Sequence, residues 1–215
     1  IWTICAGDPP EGELSSFAAS LHQRWGTKRD AVDKRRQEDK SVCKIVGAKA
    51  VHLFVPDCIY RRNPDTDELL YTSEEMIFGV LDPSETPMID QLANSIQERF
   101  PSYGDYRVVS PLAIGGHVDP ILTRRIAERL GEALYYYADF PYSLGIPLDT
   151  LDDLQPYRVE LIPADLKAWQ NAIEAYPTQL STFWDNKTEM VNAVQEYHRM
   201  RNSTYIWNSN PSGDF

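Results

Sequence analysis

Apolar residues fall into short β-rich runs and four-residue-spaced stripes that take turns along the chain. Ile1-Trp2-Thr3-Ile4-Cys5-Ala6 is a β-rich run closed by Gly7-Asp8-Pro9-Pro10, which predicts a strand followed by a loop. Ser15 or Ser16 stands where a helix cap is needed, and Phe17, Leu21 and Trp25 then share one side of a short helix. A second helix is predicted from Asp30 to Val46, with Gly47 placed to end it. Ala50-Val51-His52-Leu53-Phe54-Val55 reads as a strand closed by Pro56-Asp57, and residues 60–75 are polar and turn-rich.

The alternation continues in the second half. Thr86-Pro87 opens a helix, with Pro at a favoured first-turn position and Ile89, Leu92, Ile96 and Phe100 as its apolar stripe. Tyr106 to Ile114 is the next strand, followed by Gly115-Gly116-His117. A helix is predicted from Pro120 to about Leu134, and Tyr135 starts a strand that ends at Pro141. A strand at Tyr157 to Ile162 and helices near Ala164–Ala175 and Glu189–Met200 complete the chain. Strands alternating with helices imply an α/β fold with a parallel sheet covered on both faces. Ligands of such sheets bind beyond the carboxyl ends of the strands, which singles out Asp8, Asp57, His117, Asp119 and Asp139. No repeat or linker divides residues 1–215, so one domain is expected, and its start inside a strand leads us to expect that an upstream segment is missing.

Composition narrows the partners. The 215 residues are 42% hydrophobic and 25% charged, ordinary for a globular protein, and no apolar run reaches the ~20 residues that cross a bilayer. A formal net charge of -11 repels phosphate backbones, so nucleic acid is not expected as a partner. The basic run from Lys28 to Lys40 is interleaved with Asp30, Asp33, Glu38 and Asp39 and reads as a solvated helix face. Cys5, Cys43 and Cys58 cannot all pair and form no Cys-x-x-Cys, which points to reduced, packed thiols in a cytoplasmic protein.

The strongest chemical candidate is Gly115-Gly116-His117-Val118-Asp119-Pro120. Two glycines let the backbone bend sharply after a strand, and a His and an Asp follow at the mouth of the sheet. A histidine there can hold a metal, shuttle a proton or stabilise an oxyanion. Asp119 before Pro120 also reads as an N-cap and first helical residue. Arg35 and Glu38 share a helix face and can simply pair on the surface. Asp57 can orient a substrate hydroxyl or cap the turn after it, while His22, His52 and His198 read as structural.

In order and spacing these features resemble the PIG-L/LmbE-like family, zinc-dependent N-deacetylases of N-acetylglucosamine-containing substrates. The matching segments are Thr3 to Pro10 with its Gly-Asp loop, Arg35-x-x-Glu38 on a helix ending at Gly47, Asp57 after the next strand, His117-Val118-Asp119, and residues 135–142. The likeness is good over residues 1–142 and loose beyond. It implies a Rossmann-like three-layer α/β sandwich with a mainly parallel sheet, here without its first strand. It implies catalytic roles for His117 and Asp119, His117 steadying the charge on the amide oxygen, and substrate binding by Arg35, Glu38, Asp57 and Asp8. Two departures bear on zinc. The family's His-x-Asp-Asp motif does not occur in these residues, and the last His of its His-x-Asp-His motif is replaced by Pro120. Zinc is therefore expected for a complete family protein and not for this chain. The resemblance implies a hydrolase that removes an N-acetyl group from a sugar conjugate, inactive as this fragment. The alternative it leaves is a non-catalytic relative that binds a glycan or sugar conjugate.

Overall fold

The computed structural model describes residues 1–100, 106–131, 133–147, 151, 154–201 and 204–208. In chain order the elements are β1 (Trp2–Thr3), α1 (Ser16–Arg24), α2 (Ala31–Ile45), β2 (Val51–His52) and α3 (Glu74–Ile77). They continue with α4 (Thr86–Gln97), β3 (Val108–Pro111), α5 (Val118–Glu128), β4 (Leu134–Tyr137) and β5 (Gln155–Val159). The last are α6 (Pro163–Glu174), α7 (Pro177–Phe183), α8 (Lys187–Arg201) and β6 (Thr204–Asn208). Two compact units result, Ile1–Glu74 with Glu160–Asn202, and Glu75–Val159 with Ser203–Phe215. No helix among the described residues is long and apolar enough to cross a membrane.

In the first unit, β1 and β2 pair in parallel, Trp2 opposite Val51 and Thr3 opposite His52. Only the first part of each expected strand keeps ladder geometry. Beyond it, isolated bridges join Cys5 to Phe54 and Gly7 to Pro56. Helix α1 starts where expected: the Ser15 hydroxyl accepts the Ala18 N–H at 3.0 Å. Its buried face is Ala18, Leu21 and His22, rotated from the stripe read in the sequence, and Phe17 is only half-buried. Helix α2 ends as expected, with Gly47 in the left-handed region at φ +69°. It packs on α6 and α7, and α6 packs on α8, where Trp169 meets Tyr197 edge-on at 5.7 Å. The Asp39 carboxylate accepts hydrogen bonds from Thr3 on β1 (2.8 Å) and from Tyr176 ahead of α7, and lies 2.9 Å from His52 Nε2 on β2. His52 is thus structural, as is His22, buried between the Lys28 carbonyl and the Tyr60 hydroxyl.

The second unit holds a four-stranded sheet in the order β3-β4-β6-β5. Strands β3 and β4 are parallel, while β6 runs antiparallel to both β4 and β5. The sheet is therefore mixed, which corrects the expectation of a mainly parallel one. The cause is β6, Thr-Tyr-Ile-Trp-Asn, a β-branched and aromatic run that inserts between β4 and β5 and buries Trp207 and Asn208. Helices α4 and α5 pack on each other, and α5 lies on β3. Ile89, Leu92 and Ile96 of α4 are buried as the spacing predicts and Ala93 joins them, while Phe100 falls beyond the helix end; Leu122 and Ile126 are buried on α5. Helix α5 stops at Glu128, earlier than expected, and Leu134 already belongs to β4.

Candidate functional site

The loop between β3 and α5 is held by an unusual backbone. Ala113 (φ +61°), Gly115 (φ +97°) and Gly116 (φ +73°) all lie in the left-handed region. A Cβ on Gly115 would also sit 2.8 Å from the Tyr142 ring, so glycine is required there twice over. Asp139, which follows β4 and is 8% exposed, accepts the Ile114 N–H at 2.9 Å and ties this loop to the next strand end. Burial pushes its carboxyl up to about 6, against the opposing pull of the Ile114, Asp139 and Ala113 N–H groups and of Arg124.

His117 emerges from this loop as the N-cap of α5. Its Nδ1 accepts the Asp119 backbone N–H at 3.2 Å. Asp119 is therefore not the cap that its place before Pro120 suggested. It lies in the first turn, where its negative charge faces the positive end of the helix dipole. The cap bond has a chemical consequence. A neutral imidazole that accepts at Nδ1 carries its proton on Nε2, the form that donates to a carbonyl oxygen. The ring is flanked edge-on by Phe78 (centroids 5.2 Å apart), which in turn meets Tyr142 at 6.1 Å.

The other candidates lie in the first unit. Arg35 does not pair with Glu38. It donates to the Asp57 carboxylate at 2.7 Å and lies over the Trp25 ring at 4.0 Å. Of the two purposes considered for Asp57 the structure shows the cap: it accepts the Ile59 N–H and caps the 3-10 turn Cys58–Tyr60, and it holds Arg35 besides. Glu38 is buried and accepts from the Thr178 N–H at 3.0 Å and the Thr178 hydroxyl at 2.7 Å. Asp8 is exposed and pairs with Arg36 at 2.5 Å, and Arg36 also donates to the Ala6 carbonyl at 2.9 Å. Sequence reasoning missed Arg36, Trp25, Phe78 and Tyr142, none of which stands in a spacing that marks chemistry.

Glu38 joins α2 to the start of α7, and its removal leaves two Thr178 donors without their acceptor. Glu38→Ala is expected to cost about 2 kcal/mol in a denaturant titration. Glu38→Gln, which keeps an acceptor oxygen, is expected to cost clearly less. Equal costs would place the stabilisation in packing and not in these bonds.

The family likeness implies zinc, and the β3–α5 loop tests whether its own residues suit the metal. Zinc takes four ligands in its closed protein sites, or three protein ligands plus water in catalytic ones. Here the loop offers His117, whose Nδ1 already caps the helix, and Asp119, while Pro120 offers no donor. By themselves these residues do not fit a zinc centre.

The chain matches no protein-family model and no curated protein. Among solved structures it is similar to the zinc-inhibited form of teicoplanin deacetylase Orf2, with a TM-score of 0.81 and 22% identity over 98% of this chain and 88% of that one. A complex of a deacetylase from the teicoplanin biosynthesis pathway gives 0.80 at 22% identity over 98% and 87%. The A40926 pseudoaglycone deacetylase Dbv21 gives 0.71 at 24% identity over 96% and 83%. Identities this low establish the fold alone, and that fold is the one these deacetylases of the PIG-L/LmbE-like family share with this chain.

Proposed function

We propose that residues 1–215 are one domain from a sugar-conjugate N-deacetylase lineage, and that this chain by itself does not turn substrate over. The observation that carries the proposal is the β3–α5 loop. His117 is kept at a helix N-terminus in the tautomer that donates from Nε2, while the position of the family's third zinc ligand is Pro120. In a working relative, zinc supplies an activated water and polarises the acetamide carbonyl. What this chain retains is the donor that steadies the oxygen of that carbonyl, His117, and the polar residues Arg35, Asp57, Glu38 and Asp8 proposed to bind the sugar. The class of substrate is an N-acetylglucosamine-type conjugate, in keeping with neighbours named as deacetylases in teicoplanin biosynthesis.

The test is acetate release from an N-acetylglucosaminyl conjugate, with and without added zinc. No release above the uncatalysed background is expected, and zinc-dependent release by this chain would overturn the proposal. A second measurement reads the metal directly. Pro120→His restores a ligand, so calorimetric zinc affinity is expected to rise by about tenfold or more. Unchanged affinity would count against placing residue 120 at the third ligand.

A second reading is favoured by Pro120, a change inside the chain and not at its end. On that reading the protein binds a sugar conjugate without hydrolysing it. Binding that survives a chelator supports it, and binding lost on chelation counts against it.

A further inference from the structure

In the first unit, a groove of about 490 Å³ runs between α2 and the start of α7, away from the β3–α5 loop in sequence and in unit. Its apolar walls are the Trp25 indole and the Pro177 ring. Between them α2 lays down Lys34, Gln37 and Ser41, three and four residues apart and hence on one helix face. The proposed chemistry uses none of Trp25, Lys34, Gln37, Ser41 and Pro177; of the residues it names, Glu38 also lines the groove.

The lining specifies a kind of ligand. Its two charges, Lys34 and Glu38, are opposite in sign and each is already engaged. Lys34 pairs with Asp30 at 3.0 Å, and both Glu38 oxygens accept from Thr178. A charged ligand would gain little net attraction and would meet one like charge. The remaining groups are bifunctional. The Gln37 amide both donates and accepts, and the Ser41 hydroxyl, which donates to the Gln37 carbonyl at 3.0 Å, has lone pairs to accept with. The indole is held by the Arg35 guanidinium 4.0 Å from its centre, and Arg35 is itself anchored by Asp57. A fixed flat apolar ring beside neutral donors and acceptors suits a ligand with an apolar C–H face and a rim of hydroxyls. A pyranose ring has that shape, and the volume lies within the range of small-ligand pockets.

We infer that this groove is a binding site for a neutral saccharide, distinct from the β3–α5 loop. The assignment does not depend on deacetylation. The test is a two-dimensional NMR titration of the 215-residue chain with the N-acetylglucosamine dimer and, in parallel, with glucose 6-phosphate. The neutral disaccharide is expected to shift the Trp25 indole N–H and the backbone signals of residues 34–41 saturably. Gln37→Ala, an exposed substitution on a helix, is expected to weaken that binding by about threefold to tenfold. His117→Asn, which keeps an N-cap for α5, is expected to leave it unchanged. Shifts confined to residues 115–120, lost in His117→Asn and unaffected by Gln37→Ala, would overturn the groove assignment while leaving the sugar-conjugate reading intact. Absence of saturable binding, or tighter binding of glucose 6-phosphate, would also overturn it.

Discussion

Gly7→Ala is expected to lower Tm by about 10 °C or more, a loss on the order of 4 kcal/mol. The reason is space and not dihedral strain. A Cβ on Gly7 would sit 2.1 Å from the Phe54 carbonyl oxygen, 2.5 Å from the Phe54 carbonyl carbon and 2.8 Å from that of Val55. All three are backbone atoms, so no side chain can swing aside to make room. The Gly7 N–H donates to the Val55 carbonyl at 2.8 Å, which fixes the approach. Relief would require the segment after β1 to move off the segment after β2, exposing Ala6, Leu53 and Val55. Gly12→Ala is the matched control. Gly12 has φ +108° and nothing within 4 Å of its would-be Cβ, so only backbone strain of about 1 kcal/mol is expected. A Tm change in Gly7→Ala no larger than in Gly12→Ala would show that the two segments do not approach this closely.

The sequence discloses some of these features and hides others, and the difference is physical. Helices α1, α2 and α4 were legible because Ser15, Gly47 and Thr86-Pro87 mark their ends in local chemistry. The Gly115-Gly116-His117 bend was legible because only glycine tolerates two successive left-handed residues cheaply. The sheet order was not, because pairing is a long-range choice. Residues 204–208 carry a strand composition, but nothing local says that they insert between β4 and β5 and make the sheet mixed. At the site, the partners of individual side chains were the hidden part. Arg35 and Glu38 stand at a spacing that permits a pair, and each instead takes a better-placed partner, Asp57 22 residues away and Thr178 140 residues away. Asp119 before Pro120 looked like a cap, and His117 took the role because its ring nitrogen reaches the Asp119 N–H. The family likeness was legible from the order of short motifs, and the solved deacetylases bear out the α/β fold at that level, while the mainly parallel sheet it implied gives way to a mixed one.

Asp139→Asn is expected to stabilise the protein near neutral pH by as much as about 3 kcal/mol, and by progressively less as the pH falls below 6. The Asp139 carboxyl has an ordinary value of 3.8 and is raised to about 6 in the fold, chiefly because burial penalises its ionised form. The folded state thus holds this proton more tightly than the unfolded state. The group's contribution is most favourable below 3.8, declines as pH rises through the window from 3.8 to 6, and is at its least favourable above it. Other carboxylates change over the same range, so the informative quantity is the difference between the two proteins as a function of pH. Asparagine is the right substitution because its amide oxygen can still accept the Ile114 N–H while carrying no charge into the buried site. The opposing outcome has equal content. The Ala113, Ile114 and Asp139 N–H groups and Arg124 all favour the ionised form. If they together outweigh burial, Asp139→Asn will destabilise at neutral pH and the gap will close on acidification. The loop tied down by Asp139 carries His117, so in that case the charge itself, and not just the shape of the carboxyl, holds the Nε2 donor in place.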